Sequence, residues 1–423
     1  MNQETVIQHS PDSTVSASSA QPVARRTKTR FVVLTLLAIG TMINYLDRTI
    51  LGISAPSMTK ELGINAAMMG FVFSAFSWTY ALSQIPGGIF LDRFGSRVTY
   101  MLALTFWSAF TLLQGLATGI KSLLLFRFAL GVSEAPCFPV NSRVVATWFP
   151  QHERARATGV YTVGEYLGLA CFAPSLFWLE ANFGWRVPFI VVGAIGMVFG
   201  LVWWFVYREP QDSKSVNRAE LDYIGSGAAD AARGRVEATP FSWSNIGRLL
   251  KRRQIAGACL GQFAGNTTLV FFLTWFPTYL ATERHMGWLK VGFYAIMPFT
   301  AAAIGVVFGG WVSDWLLKRT GSPSLARKLP IIFGLLAAST IISADFVNND
   351  NLVIAILSFA FFGQGMVGLG WKLISDVAPK NMIGLIVART GSFFYALAYV
   401  GAAALIGALS YIFIVGDVRR VEI

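Results

Sequence analysis

Apolar blocks about as long as a bilayer is thick recur along this chain, each followed by a short polar or basic loop. A helix needs about 20 consecutive apolar residues to cross a hydrocarbon core. Helices can do so because their backbone polar groups are satisfied within the segment. The expected spans are 31–56, 66–90, 98–119, 122–148, 157–180 and 187–206, then 255–282, 291–316, 329–346, 352–377 and 392–415. The chain is 54% hydrophobic and 13% charged, whereas a soluble domain carries about 25% charged residues. A single soluble core is therefore excluded. The fold class is an all-α polytopic membrane protein.

The spans form two sets. Residues 1–30 make a disordered tail, 31–207 an N-terminal six-helix bundle, 208–253 a polar linker, and 254–423 a C-terminal bundle of five helices. The tail is Ser-, Thr- and Gln-rich and ends in Arg25, Arg26, Lys28 and Arg30 without a preceding apolar core, so it is no cleavable signal. The formal net charge of +12 does not point to nucleic acid, because the basic residues lie in short loops between apolar blocks. Loops after odd-numbered spans hold few of them: Lys60, Lys121, Arg186, Arg284 and Lys290. Basic residues mark the cytoplasmic side and face its anionic leaflet. The tail and the linker are thus expected in the cytoplasm.

The halves repeat. Gly88-Ile89-Phe90-Leu91-Asp92-Arg93-Phe94-Gly95-Ser96-Arg97 follows the second span, and Gly310-Trp311-Val312-Ser313-Asp314-Trp315-Leu316-Leu317-Lys318-Arg319 follows the second span of the second half. One GxxxD is weak evidence; its recurrence at matching places indicates duplication. The repeat also exposes a gap. Pro150 and Gly184 stand 34 positions apart, but their counterparts Pro379 and Gly391 only 12. The shortfall is about one membrane helix. An odd number of spans would also leave Arg419 and Arg420 outside, against the charge rule. A helix is therefore expected to be missing near 384–386.

Charged residues inside the spans are costly and mark function by default. Asp47 and Arg48 lie within Asn44-Tyr45-Leu46-Asp47-Arg48, in the first span. Arg127 and Glu134, seven positions apart in the fourth, lie about two turns apart on similar faces. Guanidinium groups stay protonated and hold carboxylates through paired hydrogen bonds, which makes Arg48 and Arg127 anion-binding candidates or members of structural ion pairs. A carboxyl group whose charge state responds to burial and to a neighbouring arginine can carry a proton, which makes Asp47 and Glu134 proton-coupling candidates. Two prolines between Gly131 and Pro139 mark a place where the helix bends or ends. Cys137, Cys171 and Cys259 are isolated, and His9, His152 and His285 fall in the tail and loops. Neither set supports metal, redox or proton-relay chemistry.

With the 88–97 loop, the chain resembles the major facilitator superfamily, whose signature lies between its second and third helices. More narrowly it is similar to bacterial sugar-acid (galactonate, glucarate, hexuronate) proton symporters of the anion:cation symporter family. The matching strings are Asn44–Arg48, Phe73-Ser74-Ala75-Phe76-Ser77-Trp78, Gln84-Ile85-Pro86-Gly87-Gly88, Glu134-Ala135-Pro136, Trp148-Phe149-Pro150 with Glu153-Arg154, Phe272-Leu273-Thr274-Trp275-Phe276-Pro277 and Leu409-Ser410-Tyr411. The resemblance implies two pseudo-symmetric six-helix halves, here with the eleventh helix missing. It implies proton-coupled import of a sugar-acid anion by alternating access, in the bacterial inner membrane, by a monomer that needs no cofactor. It supports the proton roles of Asp47 and Glu134. It places Tyr45, Arg48, Tyr80, Arg127, Glu165, Trp371 and Lys372 at the substrate, and Asp92, Arg93, Arg97 and Asp314 at a gate. Glu165 stands where galactonate-type relatives tend to carry glutamine, and is open to a pair with Lys372, a further proton or repulsion of an anionic substrate; Lys372 stands where small residues are commoner. Lys372 is open to a second substrate carboxylate or to an ion pair with Asp376.

Two further readings stay open: a transporter for another organic anion, and a membrane-bound sensor or binding protein that does not translocate, because the absent helix would line the second half's cavity. No Ser/His/Asp set, metal cluster or phosphate loop supports an enzyme.

Overall fold

The computed structural model describes residues 26–232, 253–368 and 403–411, and these are helices and their connections. Helix α1 (Thr29–Leu62) ends at Gly63, whose φ of 64° reverses the chain. Helix α2 (Ala66–Gln114) opens with the Asn65 side chain accepting from the Met68 amide. It carries the second and third expected spans as two helical stretches that part at Gly95, whose φ of 74° and ψ of 171° are not helical. That conformation suits a residue without Cβ, which accounts for the glycine in the 88–97 loop. The fourth span is split into α3 (Ile120–Glu134) and α4 (Cys137–Trp148), the break falling at Ala135–Pro136 as the prolines predict. Helices α5 (Gln151–Phe183) and α6 (Arg186–Val206) complete the first half.

The linker contributes α7 (Arg218–Ala232). The second half follows with α8 (Arg253–Thr274), α9 (Phe276–Thr282), α10 (Trp288–Thr320), α11 (Pro323–Ser339), a 3-10 turn (Thr340–Phe346), α12 (Asp350–Val367) and a helical segment at 403–411. Seven helical segments among the described residues are long and apolar enough to cross a membrane. Large apolar side chains such as Leu82, Ile89, Val198, Phe205 and Phe293 face outward. That exterior is tolerable only against lipid. The expected gap near 384–386, together with Trp371, Lys372 and Asp376, lies outside the described residues.

The contacts between the halves gather at the end remote from the tail. Gly52 of α1 lies against the backbone of Leu273 and Thr274, where an added Cβ would fall 2.9 Å from the Thr274 Cα. Phe73 packs edge-on against Trp275 (5.4 Å), and Phe177 of α5 lies against Trp288 of α10 (5.6 Å). At mid-depth Tyr166 meets Phe361 of α12 (5.6 Å). One apolar cluster, from Tyr45 through Phe272 to Phe361, joins the halves here.

The tail differs from its expected disorder at its last residues. Glu220 of α7 is fully buried and accepts from the Thr29 and Arg30 amides (3.2 and 3.3 Å) and the Thr27 hydroxyl. Arg26 and Arg30 lie over the Tyr223 ring. A linker carboxylate thus satisfies orphan amides at the start of α1 and suits the positive end of its dipole.

Candidate functional site

Helices α1, α2, α3 and α5 bring the charged residues together. Gly131 lets α3 press onto α2, since a Cβ there would overlap Thr79 Oγ1 and the Phe76 carbonyl and come within 2.9 Å of the Tyr80 amide. This close approach sets Arg127 and Glu134 against the Phe76–Tyr80 face, beside Arg48 of α1.

Arg48 donates from Nε to Glu134 Oε1 at 2.7 Å, and its Nη2 meets the same oxygen. Its guanidinium stands about equally far from the rings of Tyr45, Phe76 and Tyr80 (5.1, 5.0 and 4.9 Å). Such a ring of faces favours a cation electrostatically. Glu134 is fully buried, and its Oε2 has no hydrogen-bond partner. Arg127 is 3% exposed and lies over Phe76 at 4.9 Å, but its Nε and Nη1 have no partner. A buried guanidinium left without an acceptor is costly, so the arrangement is poised for an anion.

Asp47 faces elsewhere. Consecutive residues of a helix point about 100° apart, and Asp47 turns toward Trp107 and Thr111 in the second part of α2. It is fully buried and neither oxygen completes a hydrogen bond. The adjacent acid and base of the first span are therefore not an ion pair with each other: Arg48 takes Glu134, 86 positions away. Asn44, also fully buried, has neither amide atom bonded. Glu165 of α5 is 4% exposed and stands at the Tyr45 hydroxyl, within the field of Arg48. Tyr45, Tyr80, Arg48, Arg127, Glu134 and Glu165 thus share one neighbourhood.

The four gate residues are not gathered. Arg97 donates from Nε and Nη2 to the Trp204 carbonyl (3.1 and 2.8 Å), which Arg208 also reaches at 2.8 Å. These cations satisfy the last carbonyls of α6. Asp92 pairs loosely with Arg143 (3.4 Å) and is mostly exposed. Arg93 lies over Phe94. Asp314 is exposed and forms no ion pair among the described residues.

Among the described residues, two buried acids were not among the expected site residues: Glu220, described above, and Glu180 near the end of α5. Glu180 closes the expected 157–180 span, so an acid in an apolar block was the available signal.

The family model of the Major Facilitator Superfamily matches residues 37–411. The chain is similar to the D-galactonate transporter of Escherichia coli O6:H1, with 44% identity over 431 residues, covering 96% of this chain and 99% of that protein. It is similar to a probable galactarate/D-glucarate transporter of Escherichia coli (strain K12), with 41% identity over 96% of this chain and 98% of that protein. The first alignment is longer than the chain itself. Among solved structures, the fold is similar to the inward-open xylose transporter of Escherichia coli, with TM-score 0.68, 12% identity, and coverage of 92% of this chain and 97% of that one. It is also similar to a bacterial homologue of the human lysosomal transporter Spinster, with TM-score 0.62, 22% identity, and coverage of 91% and 82%.

Proposed function

The chain belongs to the Major Facilitator Superfamily of membrane transporters, and on that premise we propose that it imports a sugar acid of the galactonate or glucarate class together with protons. The observation that carries this reading is Arg127, a buried guanidinium with two unpartnered donors beside the Arg48–Glu134 pair. The substrate carboxylate supplies the missing acceptor. The names of the similar proteins support a sugar acid as its carrier.

The pair suggests how proton and substrate are linked. While Glu134 is ionised it occupies Arg48. A proton on Glu134 weakens that pair and frees Arg48 to join Arg127 on the substrate carboxylate. Asp47 is the second proton carrier, a buried acid without a cation in hydrogen-bond contact. Tyr45, Tyr80 and Glu165 meet the hydroxyl-bearing chain, with Trp371 and Lys372 completing the wall from the second half. Asp92, Arg93, Arg97 and Asp314 form and break contacts as the halves rock. Their present partners, Arg143 and the end of α6, lie within the first half, which leaves the cross-half contacts to another state. The working protein is a monomer in the bacterial inner membrane, with its tail and linker in the cytoplasm.

Uptake of labelled D-galactonate and D-glucarate into proteoliposomes, driven by an inside-alkaline pH gradient, tests the reading. Arg127→Lys removes a fork of donors worth about 1.5–3 kcal/mol to a charged partner, which is about tenfold to a hundredfold in affinity. Uptake of both acids unchanged by Arg127→Lys contradicts the proposal.

A further inference from the structure

Glu180 is a second buried acid, far along α5 from Glu165, and the transport reading above assigns it nothing. It is 4% exposed. Ser54 Oγ donates to its Oε2 at 3.1 Å and Ser57 Oγ to its Oε1 at 2.7 Å, both from α1. No cation among the described residues reaches it: the ion pairs at this end are Arg186 with Glu61 and Lys290 with Asp350. Arg284 bonds to the Tyr279 hydroxyl and the Ala344 carbonyl. Lys60, one turn beyond Ser57, is exposed and forms no ion pair with Glu180, and neither do Glu283 or Asp345 bear on it.

The position of this carboxyl ties it to the contact between the halves. Phe177, about one turn earlier on α5, packs against Trp288 and would sit 3.0 Å from a Cβ on Gly292. Gly52, just before Ser54, presses on the Leu273–Thr274 backbone of α8. Both helices that hold Glu180 therefore touch the second half within about a turn of it. A carboxylate shut away from water with two hydroxyls and no cation carries an uncompensated charge, which is unfavourable. The neutral acid in the same bonds does not.

We propose that Glu180 is a proton-binding residue of this closure, protonated while α1 and α5 are pressed against the second half and ionised when that end opens to water. Closing then takes up a proton, so by linkage a fall in pH on that side favours the closed state and a rise favours the open one. The site would let the proton that drives transport also set which way the protein faces.

Distances between spin labels at Lys60→Cys and Leu289→Cys, both exposed at this end on opposite halves, test the proposal. The full chain is used in liposomes without substrate, between pH 5 and 8, with its own cysteines replaced. The parent should pass from a short to a long distance as pH rises, and Glu180→Gln should keep the short distance throughout. Hydroxyl donors favour the charged carboxylate. Ser54→Ala with Ser57→Ala should therefore move the transition up by about one pH unit, a tenfold change in proton affinity. A Glu180→Gln protein that titrates like its parent, a parent with no pH-dependent distance, or a transition unmoved in the serine variant would each overturn the assignment. Because no substrate is present, failure of sugar-acid uptake leaves this test intact.

Discussion

At the scale of single residues, the site is defined by which charges are paired and which are not. Arg48 has Glu134, whereas Nε and Nη1 of Arg127 and both carboxyl oxygens of Asp47 lie in the interior without hydrogen-bond partners. Glu165 adds a third carboxyl beside Tyr45. A substrate with one carboxylate can hold Arg127 while its hydroxyls face Glu165, but a dicarboxylate brings a second negative charge toward it. At a pH where Glu165 is ionised, Glu165→Gln should therefore raise the affinity for D-glucarate relative to D-galactonate, by about threefold to tenfold for a charge contact of about 1 kcal/mol. Competitive binding of the two acids measures it, and an unchanged ratio removes Glu165 from selection. Sequence made Arg48, Arg127, Glu134 and Asp47 visible because intramembrane charges are rare. It did not show that Asp47 turns to Trp107 and Thr111 while Arg48 crosses to Glu134. Helical spacing relates residues on one helix, and that pairing depends on how α1 and α3 are packed.

At the scale of elements, one absent side chain sets that packing. Gly131 meets Phe76, Thr79 and Tyr80 so closely that even a methyl group must push α3 off α2. Overpacking of a tight contact costs about 1–3 kcal/mol. Gly131→Ala should lower the thermal midpoint and, by displacing Arg127 and Glu134 from Arg48, weaken substrate binding as well. A midpoint and an affinity equal to those of the parent would show that α2 accommodates the methyl and that the close approach does not position the site. The helices themselves were largely legible, since apolar length and loop charge determine spans, and the two prolines after Gly131 marked the break between α3 and α4. The expected spans 66–90 and 98–119 are two helical stretches that part at Gly95, where the backbone leaves the helical region. Arg97, an expected gate residue, bonds in this structure to the carbonyl end of α6. An exposed basic motif cannot by itself announce which carbonyls it will reach.

At the scale of the whole molecule, two halves built on a repeated plan meet at the end remote from the tail, and the charged site lies within the first half. The shortfall of one helix expected from the spacing of prolines and glycines lies outside the described residues, but the duplication was readable from two GxxxD loops. The docking of the tail on Glu220 was not, because it joins segments some 190 positions apart. The central claim is that a proton on Glu134 releases Arg48 for the substrate, and it is tested most directly by accumulation in proteoliposomes. Labelled D-galactonate is supplied outside, with the lumen alkaline, to the parent and to Glu134→Gln, which imitates the protonated acid. The account predicts that the parent concentrates substrate only while the gradient lasts. It predicts that Glu134→Gln still exchanges labelled for unlabelled substrate but no longer concentrates it. Gradient-driven accumulation by Glu134→Gln with the parent's pH dependence, or a parent that never accumulates a sugar acid, would contradict it.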